Sequence, residues 1–320
     1  MLRTLPFPLL LAWPLGLALF TLSHRPIDGL LIEVALFVAC VAPVVASLLL
    51  LEQHLPFQPE DRPTREDVTA DLTHLAMGYL VLTPLAQLLL KALAWVTAGW
   101  LASIVPGGLW PKSWPLGFQL LLALVIGEFG QYWFHRLAHR TELGWRVHAT
   151  HHGTPQLYWL NANRFHAIET ILKNVLQVGP LILLGCTKEA FLVYGILTAA
   201  HGWLLHANVD FRLGAISWFL GTPANHRWHH STVVAEADHN FGGVLTVWDH
   251  VFGTWYSPRG RSFRGEVGIG EMPDFPKTWV EQLKSPIVWE RLPRRIHRAP
   301  DPSLLNLFSP SSGGPFRRIH

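Results

Sequence analysis

The chain is patterned as long apolar runs separated by short polar connectors, and the runs have the length of membrane spans. Residues 5–22 and 30–51 are nearly uninterrupted apolar stretches, close to the roughly 20 helical residues needed to cross a hydrocarbon core. They predict an outward and return pair. Arg3 ahead of the first run resembles the start of a secretory signal, but no small-residue cleavage site follows and the second run comes almost at once, so a retained signal anchor is expected. An acidic connector over residues 52–71 leads to a third stretch, residues 72–105, which holds Pro84 and Lys91. That stretch exceeds one upright helix. Lys91 can snorkel to the far interface and leave residues 92–105 as a tilted continuation. A fourth span is predicted over residues 114–134, running directly into His135. The last apolar region, residues 168–205, is broken at Thr187, Lys188 and Glu189 and predicts a short-armed helical hairpin dipping into the bilayer. The expected fold is an all-α integral membrane protein with about four transmembrane helices, that hairpin and a helical cap.

Composition strengthens this picture. Half the residues are hydrophobic and only 15% are charged, outside the usual range of soluble domains. No internal repeat is visible, and the expected organisation is one membrane-embedded domain, 1–257, followed by a polar C-terminal region, 258–320. The net charge of +3 is small and the basic residues are not interleaved with aromatics, which argues against nucleic acid and for a basic membrane face. With Arg25, Lys91, Lys112 and Lys188 on one side, most other Lys and Arg fall on the side of the histidines, which the positive-inside rule makes cytoplasmic. Cys40 and Cys186 lie inside apolar runs and read as buried free thiols. Any metal must then be held by nitrogen or oxygen.

The chemistry is concentrated in histidine. His135 and His139 are four apart, one helical turn, so both rings can converge on one ion. His148, His151 and His152 combine spacings of three and four with an adjacent pair that can serve different ions. His226, His229 and His230 repeat the pattern. One His pair is more often a solvated or capped pair than a site. Eight in three clusters, among 18 histidines in the chain, are hard to produce otherwise. Imidazole suits iron, zinc, copper or nickel, so the residues alone do not name the metal. Their number exceeds what one ion takes and implies two.

The stretch 120–257 resembles the fatty acid hydroxylase and sterol desaturase superfamily. The resemblance rests on the three His clusters, Asn163-Arg-Phe-His166 with Ile168-Glu169, His206-Ala-Asn208, Asn240-Phe-Gly-Gly243 and Trp248-Asp249 through Thr254. Around Thr222 to His226 and Asp238 to Thr254 it looks most similar to the alkylglycerol monooxygenase-like branch. The resemblance implies two non-haem iron ions, O2 as co-substrate and hydroxylation of a lipid. It transfers as ligands to His135, His139, His148, His151, His152, His226, His229 and His230, with His206 as a ninth. His166 and His201 are the remaining candidates. Ala167 follows His166 where many relatives have proline, which puts His166 behind the ligands. His201 precedes His206 by five residues, about 140° around a helix, so only His206 is expected to bind.

A ligating imidazole donates its other N–H to a carboxylate or carbonyl. Glu128, seven residues before His135 and ionisable near the end of a span, fits that role, with Asn208 and Asp238 as further candidates. Asp249 and Asn225 could equally cap or turn. His74, His24 and His54 are expected at an interface or in solvent, and His239 and His250 outside the ligand set. Tyr132, Trp133, Phe134, Tyr158, Trp159 and Phe165 flank the clusters as an interfacial belt, an apolar access route, or both. No dinucleotide, flavin or haem signature is present. Reducing equivalents are therefore expected from a separate protein, and the resemblance implies an NAD(P)H-linked donor acting through a cytochrome b5-, ferredoxin- or reductase-type protein; basic residues such as Arg291, Arg294, Arg295 and Arg298 could dock an acidic carrier or anionic lipid headgroups, or serve topology alone. Rival readings are a desaturase, a zinc-dependent lipid hydrolase on the same histidines, and a metal transporter. A transporter should carry ionisable residues through mid-membrane, whereas these histidines gather in one layer.

Overall fold

The structure is a computed structural model and describes residues 3–24, 29–104, 108–258 and 261–293. Among these residues it is helical, without strands and with isolated β-bridges such as Pro56 to Val209. Arg25, Arg294, Arg295 and Arg298 lie outside the described residues.

Helices α1 (Pro6–His24) and α2 (Leu30–His54) form the outward and return pair and pack on each other. Next, α3 (Arg65–Met77), a π-helical turn (Gly78–Leu82) and α4 (Thr83–Ile104) follow in unbroken succession. The connector expected over 52–71 is shorter than its composition suggests. Glu52 still belongs to α2, and a reciprocal cap starts α3 early: the Asp67 amide donates to Thr64 Oγ1 at 3.2 Å and the Thr64 amide to Asp67 Oδ2 at 3.0 Å, satisfying two otherwise orphaned donors. Asp67 and Asp71 are buried, because Arg164 bonds Asp71 at 2.5 Å and Tyr158 donates to the same carboxylate.

Among the described residues, three segments are long and apolar enough to cross a membrane: Pro6–His24, Leu30–His54 and Arg65–Ala94. α5 (Leu116–Arg140), expected as a fourth span, is long enough but not among them. Gln119, Glu128, Gln131 and Arg136 dilute its apolar character, and the helix runs on through both His135 and His139. α6 (Glu142–His152) follows at once. The region predicted as a hairpin folds as α7 (Ala167–Gln177), α8 (Gly179–Leu183) and α9 (Lys188–His206), with the Ala190 amide donating to the Thr187 cap at 3.3 Å, but α7 and α8 pack on α4 and α5 and not as a pair with α9. The first arm is short, as expected, and the second is not. α9 is about 28 Å long at 1.5 Å per residue, and it is a core helix packed on α1, α2 and α5.

α7 is inverted relative to a helix of a soluble core. Glu169 and Thr170 are buried while Ile168, Leu172, Val175 and Leu176 are exposed, so its apolar stripe faces outward and its polar stripe inward. That is the polarity expected of a helix bordering lipid. α7 can approach α5 closely because residue 130 is glycine: a Cβ there would sit 1.9 Å from the Leu176 carbonyl oxygen.

The chain then forms α10 (Pro223–His229), α11 (Val234–Ala237), α12 (Val247–Val251) and α13 (Trp279–Lys284). The C-terminal region contributes α13 and a 3-10 turn, Trp289–Arg291. Residues 261–293, read from sequence as part of a polar C-terminal region, are largely exposed but place a few apolar side chains inside. Ile269, Met272, Phe275 and Trp289 cluster on Ala149 of α6, next to the histidines.

Candidate metal centre

Nine histidines converge in two groups. His135, His139, His148, His152 and His229 form one, and His151, His206, His226 and His230 the other, with the donor atoms within each group lying within 4.8 Å of one another. α5 and α6 supply the first group except His229, and α10 with its C-terminal neighbour supplies the rest with His151 and the last residue of α9. The adjacent pairs split as their spacing predicts: His151 and His152 face different groups, as do His229 and His230. His166 and His201 join neither group. His166 caps α7 by accepting from the Ile168 amide at 3.2 Å and donates to the Leu283 carbonyl at 3.1 Å, and His201 donates to the Gly221 carbonyl at 2.9 Å.

The rings are oriented from behind. Through Nδ1, His135 donates to the Phe241 carbonyl, His229 to the His239 carbonyl and His148 to Glu169 Oε1, at 2.8, 2.8 and 2.7 Å. His206 Nδ1 meets Asn161 Oδ1 at 2.9 Å. These contacts commit Nδ1 as donor and leave Nε2 as a lone pair. The Nε2 atoms of His135, His148 and His229 are buried without any hydrogen-bond partner. His226 Nε2 lies 2.9 Å from His206 Nε2 and 3.1 Å from His230 Nε2, and His139 Nε2 is 3.1 Å from His152 Nε2. Imidazole nitrogens brought this close in a dry interior share either a proton or a cation, and the Nδ1 atoms of His226 and His230 are also without partners. Two nitrogens about 2.1 Å from one ion are ~3.0–4.2 Å apart for angles from 90° upward, so the residues fit a metal in each group.

Burial, reinforced by neighbouring imidazoles, holds His151, His152, His226 and His230 well below the ordinary histidine range. Burial brings His229 down to about 3. Neutral imidazole is the ligating form.

The carboxylates and amides expected behind the ligands have other partners. Glu128 is buried and accepts from the Leu245 amide at 3.3 Å; it pins the 243–245 turn instead of an imidazole. Asn208 bonds Gln58 and Arg227. Asp238 pairs with Arg140 at 2.6 Å. The supporting roles fall to Glu169, which had been noted only within a motif, and to Asn161, which carried no sequence signal. Asp249 acts one step further back. It accepts from the Phe241 and Gly242 amides, both at 2.8 Å, and from Thr254 Oγ1 at 2.7 Å, fixing the turn whose Phe241 carbonyl holds His135. Burial pushes its carboxyl up. His74 is buried, not interfacial, between the Phe165 carbonyl at 3.0 Å and Gln282 Oε1 at 2.6 Å.

A cavity of about 840 Å3 opens beside the histidines. It follows α9 from His206 to Lys188, with Glu33 at the far end paired to Lys188 at 2.7 Å. Of the six flanking aromatics, Phe134 and Phe165 line it. Tyr132 packs against Phe241 and Phe252, and Trp159 against Trp203.

A helical, largely apolar chain with clustered histidines defines a candidate metal-binding membrane protein, and the known proteins it is similar to are oxidoreductases. Residues 120–254 match the family model described as fatty acid hydroxylase, so the chain carries a region of that family. It is 44% identical over 177 residues to ornithine lipid hydroxylase OlsE of Rhizobium tropici, covering 55% of this chain and 53% of the relative. It is 27% identical over 266 residues to alkylglycerol monooxygenase of Danio rerio, covering 81% and 56%, and 26% identical over 174 residues to a probable Delta(7)-sterol 5(6)-desaturase of Neurospora crassa, covering 54% and 47%. The chain spans about half the length of the curated relatives it matches. No solved structure matches it.

Proposed function

We propose that this protein hydroxylates a membrane lipid with O2 at two iron ions, one in each histidine group, using electrons from a separate redox protein. The carrying observation is the convergence of nine histidines, eight of them buried, with unpartnered nitrogens, on the end of a large cavity. His135, His139, His148, His152 and His229 would hold one ion, and His151, His206, His226 and His230 the other. When bound, such ions supply the oxygen activation that no acid, base or nucleophile of the chain provides for an unactivated C–H bond. The chain's own contribution is positional. Phe241, His239 and Glu169 hold three rings with Nε2 inward, the dry walls exclude water, and the cavity delivers substrate from the membrane side. His139, half-buried and beside Trp145 at 5.2 Å between ring centroids, is where the layer comes closest to solvent and to a redox partner at the expected cytoplasmic face.

The test is anaerobic purification with metal analysis, then reduction and exposure to oxygen with candidate lipids. The name of the 44%-identical relative makes an ornithine lipid the first to try. Two irons per chain and a product heavier by one oxygen atom support the proposal. A product lighter by two hydrogens would make the enzyme a desaturase. Stoichiometric zinc with turnover in strict anaerobiosis would sink the oxygenase assignment.

A further inference from the structure

The exposed apolar surface extends beyond the three candidate spans. On α5, Phe118, Leu121, Val125 and Phe129 are exposed and recur at intervals of three and four, one outward stripe of the helix. Two short segments widen that stripe: a 3-10 turn, Gly214–Trp218, with the two residues after it, and α12 with its flanks. The Trp248 and Phe129 ring centroids are 4.8 Å apart, the Trp248 indole N–H donates to the Val125 carbonyl at 3.3 Å, and Phe252 lies 5.0 Å from Trp133. Trp218, Phe219, Val247 and Val251 are exposed. Across residues 214–220 and 244–253 the only ionisable side chains are Asp249 and His250, and both are engaged by protein. Asp249 is 1% exposed and holds the Phe241 and Gly242 amides, and His250 donates to the Trp218 carbonyl at 2.8 Å. The Thr246 hydroxyl donates to that carbonyl at 2.6 Å. The two backbones also bond each other, from the Thr246 amide to the Phe219 carbonyl and from the Gly221 amide to the Val244 carbonyl, both at 3.1 Å.

Polar groups closed on one another beneath an uncharged apolar surface are what hydrocarbon demands of a segment, because it offers no hydrogen bonds of its own. The height agrees. Counted from Leu116 at 1.5 Å per residue, Val125 and Trp133 lie about 14 and 26 Å along α5, inside the ~30 Å of a hydrocarbon core. Val234 on α11 makes the contrast: it is 79% exposed, but its surroundings carry Glu236 paired with Arg261 and Asp238 paired with Arg140, the charge a water-facing surface bears. We propose that residues 214–220 and 244–253 form a lipid-embedded platform that dips into the leaflet nearest the histidines without crossing it, its outer face covered by acyl chains. The platform bears on the metal centre through Asp249, which fixes the turn whose Phe241 carbonyl holds His135. Its seating therefore sets the depth of the first histidine group in the membrane.

The experiment places one nitroxide label at a time on the full-length chain in phosphatidylcholine nanodiscs, with Cys40 and Cys186 replaced by alanine. The labelled variants are Phe219→Cys and Val251→Cys on the platform, Val38→Cys on the exposed side of α2 as the lipid reference, and Val234→Cys as the water reference. Collision of each label with O2, which concentrates in hydrocarbon, is compared with collision with a water-soluble nickel chelate. Labels at 219 and 251 should follow the one at 38, with nickel collision about tenfold below that at 234. Nickel access equal to that at 234 would put the face in water and end the proposal. Exclusion of both reagents would mean that protein covers the face, a second copy where cross-linking yields dimers, and would equally overturn it. A readout free of labels guards against misfolded variants. In the otherwise unaltered chain, Trp218→Phe should remove fluorescence that lipids brominated on their acyl chains quench, and a lost component that those lipids leave unquenched would contradict the embedding.

Discussion

His148 donates through Nδ1 to Glu169 Oε1 at 2.7 Å, with both side chains almost wholly buried. The carboxylate selects the tautomer with its lone pair on Nε2 and raises the basicity of that nitrogen, as carboxylates behind metal-bound histidines do. Glu169→Ala should therefore lower affinity for metal in the first group about 10- to 100-fold, measured by chelator competition on purified protein. Unchanged metal content and affinity would show that the ring is positioned by packing alone.

His206 and His201 share α9 and are equally buried, but only His206 belongs to a histidine group. His206→Ala should lower the metal content of the second group and abolish activity. His201→Ala should leave metal content intact and instead lower thermal stability, by about 1–3 kcal/mol, because the Gly221 carbonyl loses its donor. Metal analysis alongside melting curves separates the two outcomes, and loss of metal from His201→Ala would contradict the grouping.

What the sequence carried follows from how local each signal is. The division of His151 from His152 and of His229 from His230 between groups, and the separation of His201 from His206, are consequences of helical angle and could be read from spacing. The apolar runs likewise located α1 and α2. Where a residue's role depends on a partner distant in sequence, the reading failed. Glu128 was assigned to a ring by its spacing from His135, yet the chain folds the 243–245 turn onto it. Asn161 reaches His206 across 45 positions, and Asp71, counted in a connector, is drawn into the interior by Arg164. α7 was legible as apolar, but not as inverted, because nothing in its periodicity says which stripe faces lipid.

Gly130 tests that inverted packing. A side chain at this position would collide with backbone, not with a yielding side chain, since the nearest atom to its Cβ is the Leu176 carbonyl oxygen. Gly130→Val should push α7 away from α5, displacing Glu169 from His148. Expected results are poorer yield in detergent, a lower melting temperature and reduced metal content, all from a residue that touches no ligand. Gly117, where a Cβ meets nothing within 4 Å, serves as control, and Gly117→Ala should be tolerated.

The buried histidines also fix the sign of the response to acid in the metal-free protein. His229 sits at about 3 in the folded state against an ordinary 6.5, so between those values the unfolded chain binds a proton that the folded chain refuses. Stability then rises with pH wherever the unfolded state is the more protonated. It should be fully present above about 6.5 and decline as pH falls toward 3, with His151, His152, His226 and His230, all lowered by burial, adding in the same direction. Bound metal competes with those protons and should move the onset of unfolding to lower pH. Urea titrations of metal-free and metal-loaded protein across this range check both points. A metal-free protein as stable at pH 5 as at pH 7.5 would mean that these rings are open to solvent and that the interior described for them is wrong.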